Sequence, residues 1–284
     1  MKPLLKDKII VMTGATSGLG RAACLDLANK GAQVIILARS RSKSEQLIKE
    51  LSDFATPKKG TISYIKCDFL DLNQVNTVCD QLLEKYERID YLLNNAGLWN
   101  FSESKSVNGI EATFQVNVLV PLLLVKRLLP LLKKSKEAKV ITTASALHQG
   151  TVNYSDVQFN TNFSSFKAYR QSKLMVILLT RLYATLDDFK GIKLVTQHPG
   201  VVDTGLARNA GWFARFFFRL FGKSPEKGAR TLIYLVEEEA DKLINGGYYV
   251  NSKPHKTSTA ISKNLDEAKK VEELCTPYLA SYIS

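Results

Sequence analysis

Tyr169 and Lys173 stand four residues apart in a segment whose apolar residues recur at helical spacing, Ala168–Asp187. Both side chains therefore project from one helix face. An ammonium beside a phenol favours the phenolate and draws the tyrosine below its free value of about 10. A tyrosine tuned in this way exchanges a proton with an alcohol or a carbonyl near neutral pH. Ser145 follows a different apolar run, and its hydroxyl is suited to hydrogen-bond a substrate oxygen where charge develops. A second constellation, Thr13-Gly14-Ala15-Thr16-Ser17-Gly18-Leu19-Gly20, lies between a strand pattern and a helix pattern. Its glycines let the backbone turn sharply and approach a pyrophosphate, and the helix N-terminus offers N–H groups and partial positive charge to the phosphates. Gly14, Thr16, Ser17, Gly18, Leu19 and Gly20 are thus candidate phosphate ligands. The second strand ends in Ala38-Arg39-Ser40-Arg41. A reader of a ribose 2′-hydroxyl needs a carboxylate at this place and a reader of a 2′-phosphate needs a cation. Arg39, with its bidentate fork, favours NADP(H) over NAD(H).

The elements that must hold these residues alternate. Lys8–Met12, Val34–Leu37, Ile62–Lys66, Tyr91–Leu93, Val140–Thr143, Lys193–Gln197 and Tyr248–Val250 read as strands. Leu19–Lys30, Ser44–Leu51, Asn73–Arg88, Ile110–Leu132, Ala168–Asp187 and Glu226–Glu238 read as helices, with Gly31 a left-handed cap of the first. Leu265–Cys275 makes a final helix, with Asn264 as N-cap and Pro277 just past the end. Strands alternating with helices predict an α/β, doubly wound (Rossmann-type) three-layer sandwich around a mainly parallel seven-stranded sheet. One unbroken series predicts a single dinucleotide-binding catalytic domain over residues 1–284. Residues 144–167 and 199–224 lack clean periodicity and read as loops.

Composition bounds the partners. The 284 residues are 45% hydrophobic and 23% charged, ordinary for a globular protein. The net charge of +12 invites an anionic partner: a phosphorylated cofactor, nucleic acid or an acidic membrane surface. No nucleic-acid-binding signature accompanies it, and no nucleic-acid partner is expected. Cys24, Cys67, Cys79 and Cys275 show no CxxC and no regular spacing, so they read as reduced thiols in a cytoplasmic setting. His148, His198 and His255 show no ligand spacing, so no metal is expected; His148, three residues after Ser145, reads as a surface or loop residue, with a place in the pocket lining as the alternative. The chain enters a strand pattern within its first residues, which leaves no room for a secretory leader.

These residues, taken in order, resemble the short-chain dehydrogenases/reductases over about residues 8–250. The motifs are the glycine-rich turn, Asn94-Asn95-Ala96-Gly97, Asn117, Ser145, Tyr169-Arg170-Gln171-Ser172-Lys173 and Pro199-Gly200. The resemblance implies that Ser145 orients the substrate, that Tyr169 is the acid/base, and that Lys173 holds the nicotinamide ribose and tunes Tyr169. It implies that Asn117 supports a water relay to Lys173. It further implies that Asp68 hydrogen-bonds the adenine, that Asn95, Ala96 and Gly97 pack along the cofactor, and that Pro199, Gly200, Val202 and Thr204 contact the nicotinamide. Pairing of subunits through the long helices is also implied, with a membrane-associated monomer as the alternative.

Thr142-Thr143-Ala144-Ser145-Ala146-Leu147-His148, Ala168–Leu174 and His198-Pro199-Gly200-Val201-Val202-Asp203-Thr204 resemble the retinol-dehydrogenase-like branch. That likeness implies NADPH-dependent reduction of lipophilic aldehydes or ketones, or the reverse oxidation. The hydrophobic N-terminal anchor of membrane-bound members is not seen. An insert near residues 205–224 contains Trp212-Phe213-Ala214-Arg215-Phe216-Phe217-Phe218-Arg219-Leu220-Phe221. It reads as a lid over a greasy pocket, as an interfacial anchor that holds a cytoplasmic protein on a membrane, or as an ordinary packed helix or partner surface. The rival to an enzyme is an NADPH-binding scaffold or sensor without turnover.

Overall fold

The computed structural model describes residues 5–53, 60–200, 224–257 and 259–283. Its strands are β1 (Ile9–Thr13), β2 (Gln33–Ala38), β3 (Thr61–Lys66), β4 (Tyr91–Asn94), β5 (Lys139–Thr143), β6 (Lys193–His198), β7 (Tyr248–Val250) and β8 (Lys253–Pro254). They form one sheet in the order β3-β2-β1-β4-β5-β6-β7-β8. All pairs are parallel except β7–β8. The seven expected strands are all present. The eighth, β8, was not expected: it has two residues and no apolar alternation, and it forms only because the chain turns back on β7 through Asn251 and Ser252, both at positive φ.

Side chains alternate across each strand and so build two cores. Val11, Ile35, Leu37, Leu92, Val140 and Leu194 point to one face. Ile10, Met12, Val34, Ile36, Leu93, Ile141 and Val195 point to the other. The first face is covered by α3 (Leu72–Lys85), α4 (Ala112–Lys133), α5 (Ser165–Tyr183) and α7 (Leu265–Leu279). The second is covered by α1 (Gly18–Asn29), α2 (Arg41–Asp53) and α6 (Pro225–Glu237). The expected layers follow directly. All four cysteines are free and buried within them.

Helix ends follow local capping. Asp71 caps α3 by accepting from Asn73 N–H, and Ser164 caps α5 by accepting from Lys167 N–H. The α5 helix therefore begins before Ala168 and ends at Tyr183, short of the expected Asp187. The Glu111 carboxylate accepts from Thr113 N–H at 2.8 Å and Phe114 N–H at 2.7 Å to start α4. That helix is long and apolar enough to cross a membrane, yet most of its apolar window is buried in the protein. Asn264 caps α7 as expected, but the helix runs through Pro277 to Leu279. Proline forfeits one backbone bond in that last turn, and burial of Leu279 carries the helix past it.

Candidate active site

The chain runs from β1 outward to β2 and β3, then returns to place β4 on the other side of β1. Such a reversal opens a crevice at the carboxyl ends of the strands. The glycine-rich turn leaves β1 at this point. Gly14 has φ +67°, and a Cβ there would lie 2.7 Å from Ala96 Cα; at Gly20 a Cβ would lie 2.0 Å from the Gly14 carbonyl oxygen. Any side chain at either place would break the turn. Thr13 Oγ1 accepts from the N–H groups of Asn95 (3.0 Å) and Ala96 (2.9 Å), which clamps the ends of β1 and β4 together. Ser17 occupies the N-cap of α1, but its side chain makes no capping bond, and the first turn holds no acidic residue. The first N–H groups of α1 are thus left to an anion. Thr16, Gly18 and Leu19 line the same turn.

Arg39 follows β2 with its side chain 71% exposed, and its Nη1 lies 3.8 Å from Asp68 Oδ2. Asp68 follows β3, and its Oδ1 accepts from Leu70 N–H at 3.1 Å. The two residues expected at the adenosine end are therefore neighbours. This crevice fits a phosphorylated dinucleotide: an uncapped helix N-terminus, backbone approach at the glycines, and a cation and a carboxylate beyond.

A hydrogen-bonded row crosses the strand ends from the turn to the second constellation. Asn95 Nδ2 donates to the Gly14 carbonyl (3.1 Å), and Thr143 Oγ1 donates to Asn95 Oδ1 (3.3 Å). Gln197 Nε2 donates to Thr143 Oγ1 (2.9 Å), and Lys173 Nζ donates to the Thr143 carbonyl (2.9 Å). Gln197 has no place in the motifs; its link to Thr143 arises from the register that sets the two opposite each other. Gly97 continues the loop after β4, and Pro199 and Gly200 follow β6, with Gly200 at φ +87°. Val202, Thr204 and the whole stretch 212–221 lie outside the described residues.

Ser145, Tyr169 and Lys173 converge and are buried. The Tyr169 hydroxyl meets the Ser145 side chain, and Lys173 Nζ lies 5.7 Å from the Tyr169 ring centroid. Burial pushes the Tyr169 phenol up to about 12, with the Ser145 hydrogen bond pulling the other way, and it pushes the Lys173 ammonium down to about 8. The expectation that Lys173 draws the phenol below 10 is thus reversed here: desolvation of both groups outweighs their proximity. Asn117 is fixed by direct contacts of its own. It lies in a π-helical turn, Gln115–Leu119, where its Oδ1 accepts from Leu98 N–H (2.7 Å). Its Nδ2 donates to the Leu98 carbonyl and to Ser172 Oγ, each at 2.9 Å. Its direct partners are the β4–α4 loop and α5.

Two features were not legible in the motifs. His148 is buried, not at the surface; its Nδ1 donates to the Ser145 carbonyl, which also accepts from the Tyr248 hydroxyl at 3.3 Å. Burial holds its pKa below the ordinary histidine range. The pair fixes the backbone that carries the Ser145 hydroxyl. Trp99 stacks on Tyr169 with ring centroids 4.4 Å apart.

The model of the short chain dehydrogenase family matches residues 8–212. The chain is a short-chain dehydrogenase. This family is one of oxidoreductases that use a nicotinamide cofactor. Mouse retinol dehydrogenase 14 is 34% identical over 280 residues, spanning 93% of this chain and 83% of the relative. Human polyprenol dehydrogenase is 30% identical over 266 residues, spanning 90% and 80%. Retinol dehydrogenase 12 of mouse is 32% identical over 253 residues, spanning 88% and 79%. These relatives put this short-chain dehydrogenase in the retinol-dehydrogenase-like branch. Among solved structures, the RhlG/NADP complex of Pseudomonas aeruginosa aligns with TM-score 0.69 and 25% identity, covering 88% of this chain and 97% of that one.

Proposed function

We propose that this short-chain dehydrogenase uses NADP(H) to interconvert a lipophilic aldehyde or ketone and its alcohol. The observation that carries this reading is the meeting of the Ser145 and Tyr169 hydroxyls beside Lys173, tied through Thr143 and Asn95 to the glycine turn. The first turn of α1, Arg39, Asp68 and the 95–97 and 199–200 loops would hold NADP(H), which would supply or accept the hydride. The Ser145 hydroxyl donates to the substrate oxygen and steadies the charge that develops there. The Tyr169 phenol gives its proton to that oxygen in reduction and takes it back in oxidation. Lys173 places a cation beside the phenolate that remains. Asn117 acts at one remove, fixing Leu98 and the Ser172 turn of α5. Polyprenol and retinol in the names of the relatives support a lipophilic substrate, and the NADP of the RhlG complex supports the cofactor choice.

The same reading makes 1–284 a single catalytic domain. With it goes the reading of residues 205–224 as a lid over an apolar substrate or, at 212–221, as a peripheral contact of a cytoplasmic enzyme with an intracellular membrane. The test is NADPH consumption against aldehydes and ketones from short aliphatic to steroid-sized, with NADH in parallel. Turnover of long apolar carbonyls with preference for NADPH is expected. Tight NADPH binding without turnover on any member would replace the enzyme with a binding scaffold.

A further inference from the structure

Trp99 lies on the loop between β4 and α4 and is half-buried. It is held at two points one turn apart on α5. Its indole Nε1 donates to Ser165 Oγ at 2.9 Å, and its ring stacks on Tyr169 at 4.4 Å with 12° between the planes. Phe101 stacks on Trp99 in turn, at 5.2 Å and 20°, and Phe166 lies tilted at 6.3 Å. Phe101 and Phe166 are 39% and 46% exposed. Single exposed apolar side chains are ordinary, but here a connected aromatic row runs from solvent to the reactive phenol.

We propose that Trp99, continued by Phe101, is the wall along which the apolar tail of the substrate lies, and that Trp99 selects long carbonyl compounds over short ones. This rests on the function proposed above. A carbonyl oxygen that reaches the hydroxyls of Ser145 and Tyr169 brings its substituents past the ring stacked on Tyr169. The indole ring offers area and dispersion to methylenes or a conjugated chain. A polar tail finds no donor in the indole itself, because Ser165 already takes its N–H. Each methylene that reaches the wall then raises kcat/KM roughly threefold.

The experiment measures kcat/KM for decanal and propanal in the wild type, Trp99→Ala and Trp99→Phe. The decanal-to-propanal ratio is expected to fall about tenfold or more in Trp99→Ala and to be largely restored in Trp99→Phe. A second readout needs no turnover. The chain has two tryptophans, so Trp212→Phe leaves Trp99 as the sole indole, and decanol is expected to change its fluorescence saturably while propanol does not. An unchanged ratio in a folded Trp99→Ala enzyme, or fluorescence indifferent to decanol, would overturn the wall. Absence of carbonyl turnover in the wild type, with saturable decanol binding at Trp99, would overturn the proposed reaction while supporting the wall.

Discussion

Burial decides the protonation of the residues at the centre of the crevice. Tyr169 is pushed up to about 12, so its phenol stays protonated across the neutral range. Carbonyl reduction draws on the protonated form, and alcohol oxidation needs the phenolate. The expected outcome is a reduction kcat/KM that is flat from about pH 6 to about pH 7 and falls above about pH 8, where the Lys173 ammonium is lost, and an oxidation kcat/KM that climbs about tenfold per pH unit over the lower range. Tyr169→Phe lowers both about a thousandfold and leaves NADPH affinity in place. A reduction profile that falls with a midpoint near neutrality would show that another group gives the proton. Arg39 lies at the other end of the crevice, and its side chain is largely in solvent. Its removal cannot unseat the core. Arg39→Ala is expected to weaken NADPH about ten- to a hundredfold and NADH little, since one charge-assisted contact to the 2′-phosphate is lost. Equal effects on both cofactors, read by titration calorimetry, would detach Arg39 from the phosphate.

At the scale of elements, a buried lysine joins the sheet to a helix end. Lys139 opens β5, and its Nζ donates to the carbonyls of Leu235 (3.3 Å), Val236 (2.7 Å) and Glu238 at the C-terminus of α6. The ring of Tyr91 lies beneath it at 4.9 Å. A cation there opposes the negative end of the helix and satisfies carbonyls that have no intrahelical partner. Lys139→Met keeps the stem and loses the head; it is expected to cost about 2–4 kcal/mol in urea unfolding, with the fold retained. A loss under about 0.5 kcal/mol would mean that water replaces the ammonium. The alternation of Val11 with Ile10 and Met12, or of Ile35 with Val34 and Ile36, is visible in the sequence because strand parity is local. So are the caps at Asn264 and Gly31. The burial of His148 and the stacking of Trp99 on Tyr169 are not visible. Each depends on a loop meeting an element far along the chain, and no spacing encodes that distance. The raised Tyr169 phenol has the same origin: the Tyr-Lys spacing announces proximity but not the desolvation that outweighs it.

On the scale of the whole molecule, the C-terminal helix decides which surfaces remain open. Ala268, Val271, Cys275 and Leu279 of α7 are fully buried in the core they share with α4 and α5. Lys126 of α4 pairs with Glu272, and the Tyr154 hydroxyl donates to Glu267 Oε2 at 2.7 Å. The Phe114 ring meets Tyr278 edge-on at 5.4 Å. The long helices through which the family resemblance implies subunit pairing are thus covered in part by the chain's own last helix. Pairing through that face would have to displace four buried side chains, each contributing about 1.5–3 kcal/mol for the larger ones. The full chain is therefore expected to be a monomer of 31.7 kDa by light scattering. A chain ending at Asn264 exposes the apolar faces of α4 and α5 and is expected to dimerise or aggregate. A stable dimer of the full chain, with cross-links between copies of α4 or α5, would show that α7 leaves enough of that face open to pair.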